Sequence, residues 1–166
     1  MQYELVKSKL SGDAATIYSI KLEGEKVTQF EKFLSKYYSD YKTEINSIVS
    51  RLKVIGNDTG LRLGFYKENE GALLDGVCAL FDSPNKELRV YFLKNGKDNI
   101  ILGGGGPKSK AIRAYQEDEI LDKEANIIKQ LSKDLTQRIK AGDIFYLSNG
   151  EFGGRLNFID LNDDEE

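Results

Sequence analysis

The sequence predicts an α+β domain: a small antiparallel sheet, a helical segment ahead of it and a long helix behind it. Three observations carry that reading. Apolar residues recur at steps of three and four from Val27 to Leu52, an alternating pattern flanks Asn95-Gly96, and helical spacing returns from Ile120 to Ile139. At 166 residues, 40 % of them hydrophobic, the chain has the length and apolar content of one domain, taken as 1–166.

Residues 3–9 and 16–22 are short β-branched or aromatic runs separated by Ser11-Gly12-Asp13, which predicts a strand pair. In the second run Tyr18, Ile20 and Leu22 share a face. Val27, Phe30, Phe33, Leu34, Tyr37, Tyr41, Ile45, Ile48, Val49 and Leu52 then form one helical stripe, stopped by Gly56 and Asn57-Asp58-Thr59-Gly60. A single helix over this stretch would reach about 40 Å at about 1.5 Å per residue, long for such a domain. Ser39 and Asp40 are N-cap types, so the stretch reads as two helices in a hairpin.

Residues 72–81 read as a largely buried strand ended by Asp82-Ser83-Pro84-Asn85. Residues 87–93 alternate, with Leu88, Val90 and Phe92 on one face and Arg89, Tyr91 and Leu93 on the other. Asn95-Gly96 marks a hairpin turn, because this pair tolerates the positive φ angles such turns need, and residues 98–102 return antiparallel. The run Gly103-Gly104-Gly105-Gly106-Pro107 reads as a break in that strand. The last helix is predicted over 117–141 with Gly142 closing it, followed by short strands at 144–147 and 155–161. No repeat of solenoid period is present.

Composition removes whole classes of chemistry. The chain has no histidine, so a Ser-His-Asp triad, a Cys-His pair, an H-E-x-x-H zinc site and an imidazole base are all excluded. The one cysteine, Cys78, lies in an apolar run and is expected to be a buried structural thiol. The start of the chain lacks an apolar stretch of signal-peptide length, and no run is long enough for a membrane helix, so a cytoplasmic location and no membrane partner are expected.

The net charge of −3 is unevenly spread. Residues 1–85 carry −1, residues 86–115 carry +5 and residues 116–166 carry −7, ending in Asp163-Asp164-Glu165-Glu166. That terminal run is too loosely held for a metal site, and Glu117, Asp118 and Glu119 sit where a helix N-terminus favours acids; no metal and no cofactor are expected. The glycine run followed by Lys108-Ser109 fails as a P-loop, because Pro107, which has no amide, stands where that motif needs glycine.

The basic middle is the remaining chemistry. Arg89 and Tyr91 share a strand face, Lys94 and Lys97 flank the turn, and Lys108, Lys110, Arg113 and Tyr115 follow the adjacent strand. Guanidinium and ammonium groups can hold phosphate while tyrosine stacks on an unpaired base, a mixture suited to RNA. Such groups can also stabilise a phosphorane formed when a 2′-OH attacks the neighbouring phosphate. A solvated basic loop with core tyrosines is the plainer alternative.

The order of these parts, from residue 16 to about 137, resembles the RelE/HigB-type toxin superfamily, especially its phage-derived HigB-like branch. The matching features are Ile17-Tyr18-Ser19-Ile20, the two-helix segment, Asp75-Gly76-Val77, Leu88-Arg89-Val90-Tyr91-Phe92, the Lys94-Asn95-Gly96-Lys97 turn, Ile100-Ile101-Leu102 and the basic loop before the final helix. The resemblance implies a RelE-like fold: an antiparallel sheet packed against an N-terminal helical hairpin, with a C-terminal helix. Here it would be lengthened by an N-terminal strand and an acidic C-terminal extension. It also implies the toxin of a bacterial type II toxin-antitoxin system, a metal-independent endoribonuclease that cleaves mRNA, typically on the ribosome, until a cognate helix-turn-helix antitoxin neutralises it.

On this reading Arg89, Lys110, Arg113 and Tyr115 are the catalytic candidates, and Tyr91, Lys94, Lys97 and Lys108 bind RNA. A non-enzymatic protein-interaction module on the same scaffold is the alternative, with the acidic end covering the basic face or a basic partner.

Overall fold

The computed structural model describes residues 1–68, 70–71, 75–80, 87–108 and 118–160. In chain order these form β1 (Tyr3–Lys7), β2 (Thr16–Leu22), α1 (Gln29–Tyr37), α2 (Lys42–Val54), β3 (Tyr66–Lys67), β4 (Val77–Leu80), β5 (Leu88–Lys94), β6 (Asn99–Pro107), α3 (Glu119–Ala141), β7 (Ile144–Tyr146) and β8 (Phe152–Gly154). The chain is α+β. The expected first helical stretch is two helices, broken at residues 38–41, beside Ser39 and Asp40. Thr28 caps α1 by accepting from the Glu31 amide at 3.2 Å. α2 passes into a single π-turn, Ile55–Thr59, which Gly60 closes by donating to the Ile55 carbonyl at 3.0 Å.

Six strands form one sheet in the order β1-β2-β6-β5-β4-β3, and β7 pairs with β8 separately. The expectation of a purely antiparallel sheet is corrected: β2 and β6 run parallel, Ser19 lying opposite Leu102, while the other pairs are antiparallel. A parallel neighbour requires a crossover, and α1 through β5 supply it.

The glycine run corrects a second expectation. It does not break the return strand; Gly103 to Gly106 are buried within β6, and Gly105 and Gly106 pair with β5. Val90 faces Gly105 and Phe92 faces Leu102, so Gly103 and Gly104 together oppose Tyr91 in a β-bulge. The 72–81 strand is shorter than expected within the described residues, β4 covering only Val77–Leu80, and the last strand lies at Phe152–Gly154 instead of 155–161.

Both sheet faces are covered. On one, Phe30, Phe33, Ile45, Ile48 and Leu52 of α1 and α2 meet Ile17, Leu88, Val90, Phe92, Ile100 and Leu102. On the other, Leu121, Ala125, Ile128, Leu131 and Leu135 of α3 meet Tyr18, Ile20, Val77, Tyr91, Leu93 and Ile101. The alternation read in residues 87–93 therefore holds, with apolar layers on both sides of it. The two chain ends join the second layer: the Leu5 amide donates to the Leu156 carbonyl at 2.8 Å, the Phe158 amide to the Tyr3 carbonyl at 2.7 Å, and Phe158 packs on Tyr3.

Candidate functional site

The β5–β6 hairpin separates the candidate residues into two groups. Arg89 lies opposite Gly106, and the Lys108 amide donates to the Glu87 carbonyl at 2.7 Å, which puts both residues at one end of the sheet. Lys94 and Lys97 sit at the other end, about 17 Å away over five residues of strand. Lys110, Arg113 and Tyr115 lie outside the described residues. They belong to the link between Lys108 and Asp118, so both ends of that link are fixed at the Arg89 end of β6 and the start of α3.

The hairpin end is polar and open. Lys94 Nζ donates to the Tyr66 hydroxyl at 3.3 Å and lies 5.7 Å from that ring's centre. Lys97 lines a cleft of about 460 Å³ shared with Asp13, Asn99, Tyr146 and Asn149. Asn99 Nδ2 donates to the Gly150 carbonyl at 3.0 Å, while its buried Oδ1 has no partner among the described residues.

At the other end Arg89 is 8 % exposed, its Nη1 3.9 Å from Glu70 Oε2. The backbone beside it is fixed by a buried carboxylate from α2: Glu44 accepts from the Glu87 amide at 3.0 Å and from the Leu88 amide at 2.9 Å. Two donors on one carboxylate are charge-assisted contacts that set where β5 begins. Nothing in the helical pattern singled out Glu44, which looks like any polar position between Tyr41 and Ile45. Tyr91 is corrected: it is 0 % exposed beneath α3, so its ring is a core group and cannot stack on a base in this structure.

A second, smaller cleft borders the same end. β2 pairs with β6 only as far as Leu102, and beyond it α1 and the start of α3 close over Gly104 and Gly105. Gln29 and Glu124 meet there, Gln29 Nε2 donating to Glu124 Oε2 at 3.4 Å. Lys32, Lys36, Tyr37 and Lys123 complete the walls of a space of about 150 Å³. Glycine is what permits this approach: a Cβ on Gly104 would stand 2.6 Å from Glu124 Oε2, and one on Gly103 2.7 Å from Ile128 Cδ1. Burial pushes the Glu124 carboxyl above the ordinary glutamate range, opposed by the Gln29 hydrogen bond and by the charges of Lys123, Lys32 and Lys36. The sequence signal for this cleft was the glycine run itself, since four strand positions without side chains imply that something packs close.

Among the described residues no group of three His, Cys, Asp or Glu side chains comes together as a metal site, and no helix is long and apolar enough to cross a membrane. No protein-family model, curated protein or solved structure matches the chain.

Proposed function

We propose that the chain is a RelE/HigB-like toxin of a type II toxin-antitoxin system, acting as a metal-independent endoribonuclease on mRNA, with the Arg89 end of the sheet as its reacting end. One observation carries this reading. Arg89 is held opposite Gly106, and the basic link that bears Lys110, Arg113 and Tyr115 departs two residues later. Guanidinium and ammonium groups gathered at that point would stabilise the charge that develops when a 2′-OH attacks its phosphate, chemistry that requires neither imidazole nor metal. The pairing of the sheet with α1 and α2 on one face is consistent with the helical hairpin of that family. Cytoplasmic mRNA, with the ribosome and a helix-turn-helix antitoxin as partners, follows from the same reading.

Inducible expression in a bacterium tests it, with growth and mapped mRNA ends as readouts. The wild-type chain is expected to arrest growth and leave new 5′ ends, and Arg113→Ala and Lys110→Ala to relieve both while the protein accumulates folded. A harmless wild-type chain with intact mRNA would sink the proposal.

The alternative, a non-enzymatic interaction module, is favoured by a specific observation: Arg89 is almost fully buried and faces Glu70, as a structural arginine would be. On that reading the purified chain leaves RNA uncut and Arg89→Lys lowers the melting temperature without any other loss.

A further inference from the structure

We propose that the cleft between α1 and α3 over Gly104 and Gly105 binds a phosphoryl oxyanion between Lys32, Lys36 and Lys123, beside Glu124 and the open amide oxygen of Gln29. The site stands apart from the RNA-cleaving reading, which supplies only one of two sources for the phosphoryl group.

The space of about 150 Å³ is five times the volume of a liquid water molecule, about 30 Å³, enough for a phosphate but small for a whole nucleotide. Its floor is bare strand. Gly104 and Gly105 place no side chain in it, and a Cβ on Gly104 would stand 2.6 Å from Glu124 Oε2 and push that carboxyl aside.

The walls bring three ammonium groups from two helices. All three act electrostatically on Glu124, yet none lies within ion-pair distance of it among the described residues. The cations therefore surround the carboxyl without closing on it, which leaves a positive gap. Two of them are held in position: Lys32 Nζ is 2.8 Å from Glu25 Oε1, and Lys36 Nζ lies 5.4 Å from the Tyr37 ring centre. Gln29 is 4 % exposed and steers Glu124 through its Nε2, while its Oε1 has no partner among the described residues. A buried amide oxygen left open is costly, and a protonated phosphoryl oxygen would satisfy it.

The charge count selects the ligand class. Three ammonium groups beside a carboxyl whose charged form burial disfavours match a dianion better than a monocarboxylate. The facing groups from both helices are Lys32, Lys36, Lys123, Gln29 and Tyr37, with Glu25 outside on Lys32; β6 contributes backbone alone. Because the bound anion favours protonated Glu124, affinity falls as pH rises through the titration of that carboxyl.

The test is a titration of the full chain with inorganic phosphate, followed by backbone amide NMR against sodium chloride at matched ionic strength. Saturable shifts are expected at Gly104, Gly105 and Gln29. Lys36→Gln and Lys123→Gln should each weaken binding about three- to tenfold, as for the loss of one charge-assisted contact. Glu124→Gln keeps a neutral donor, so binding should persist with its pH dependence flattened. Absence of saturable shifts, or shifts unchanged in the Lys36→Gln/Lys123→Gln double variant, overturns the site.

A short oligonucleotide carrying uncleavable 2′-deoxy linkages separates the sources. Displacement of phosphate by its 5′-phosphorylated form assigns the site to the terminal phosphate of a nucleic acid; binding of phosphate without displacement assigns it to a free phosphoryl group. A chain that binds phosphate here and leaves RNA intact retains this inference and loses the ribonuclease reading.

Discussion

Gly105 and Glu124 show how single residues set this molecule's geometry. A Cβ at Gly105 would collide with the Arg89 carbonyl, which is backbone and cannot swing aside, whereas one at Gly64 would meet nothing within 4 Å. Gly105→Ala is therefore expected to destabilise the chain by about 1–3 kcal/mol, the range for overpacking, and Gly64→Ala to leave it almost unchanged; urea unfolding of the two variants reads the contrast. Glu124 makes a signed prediction. Its carboxyl is raised by burial, so the folded state holds a proton more tightly than the unfolded chain, where glutamate titrates near about 4.3. Stability is then lost as pH rises through the folded titration. Glu124→Gln, which does not titrate, should gain on wild type across that window and level off above it, as thermal melts over a pH series would show. Cys78 is the quiet counterpart: buried at 2 % exposure with its thiol pushed up to about 12, chiefly by desolvation, it behaves as the structural thiol expected of it.

At the scale of elements, α3 depends on its first turn. Asp118 accepts from the Ile120 amide at 2.9 Å and from the Leu121 amide at 3.2 Å, and Gly142, at φ 81°, ends the helix. Asp118→Ala should cost about 1 kcal/mol by the usual N-cap scale, with chemical denaturation as the measure.

The ends of α3 were legible because caps are local chemistry, and the hairpin was legible for the same reason: Lys94 and Asn99 flank a short loop containing the Gly96 φ of 76°. What stayed hidden was tertiary. A glycine run is a loop signal by propensity, and only α3 pressing on Gly103 and Gly104 makes it a strand. Arg89 and Tyr91 read as a projecting face because one face of an antiparallel sheet is often solvated, and the second helical layer reverses that. Glu44 was invisible for a similar reason, since its partners at Glu87 and Leu88 are remote in sequence.

Over the whole molecule the two apolar layers are closed by different parts of the chain. Among the described residues the α1–α2 layer uses none beyond Leu102, but the α3 layer takes Ile144, Phe152 and Phe158 from beyond the last helix. Phe158 has its ring centre 5.3 Å from that of Tyr3, and the Arg138 guanidinium lies 4.2 Å from it. Phe158→Ala is expected to cost about 3 kcal/mol as a large-to-small core change. Amide hydrogen exchange should then show β1 opening with it, since Phe158 also donates to the Tyr3 carbonyl.

The parallel pairing of β2 with β6 also governs the order in time. Ser19 and Leu102 are 83 positions apart and join the sheet's centre. Loop closure of that span is slow compared with forming α1, α2 or the β5–β6 hairpin, whose partners are neighbours. During synthesis β2 pairs with β1 on one edge and waits unpaired on the other until Leu102 has emerged. In refolding, pulse-labelled exchange should find the β5–β6 amides protected first and the bonds between β2 and β6 last.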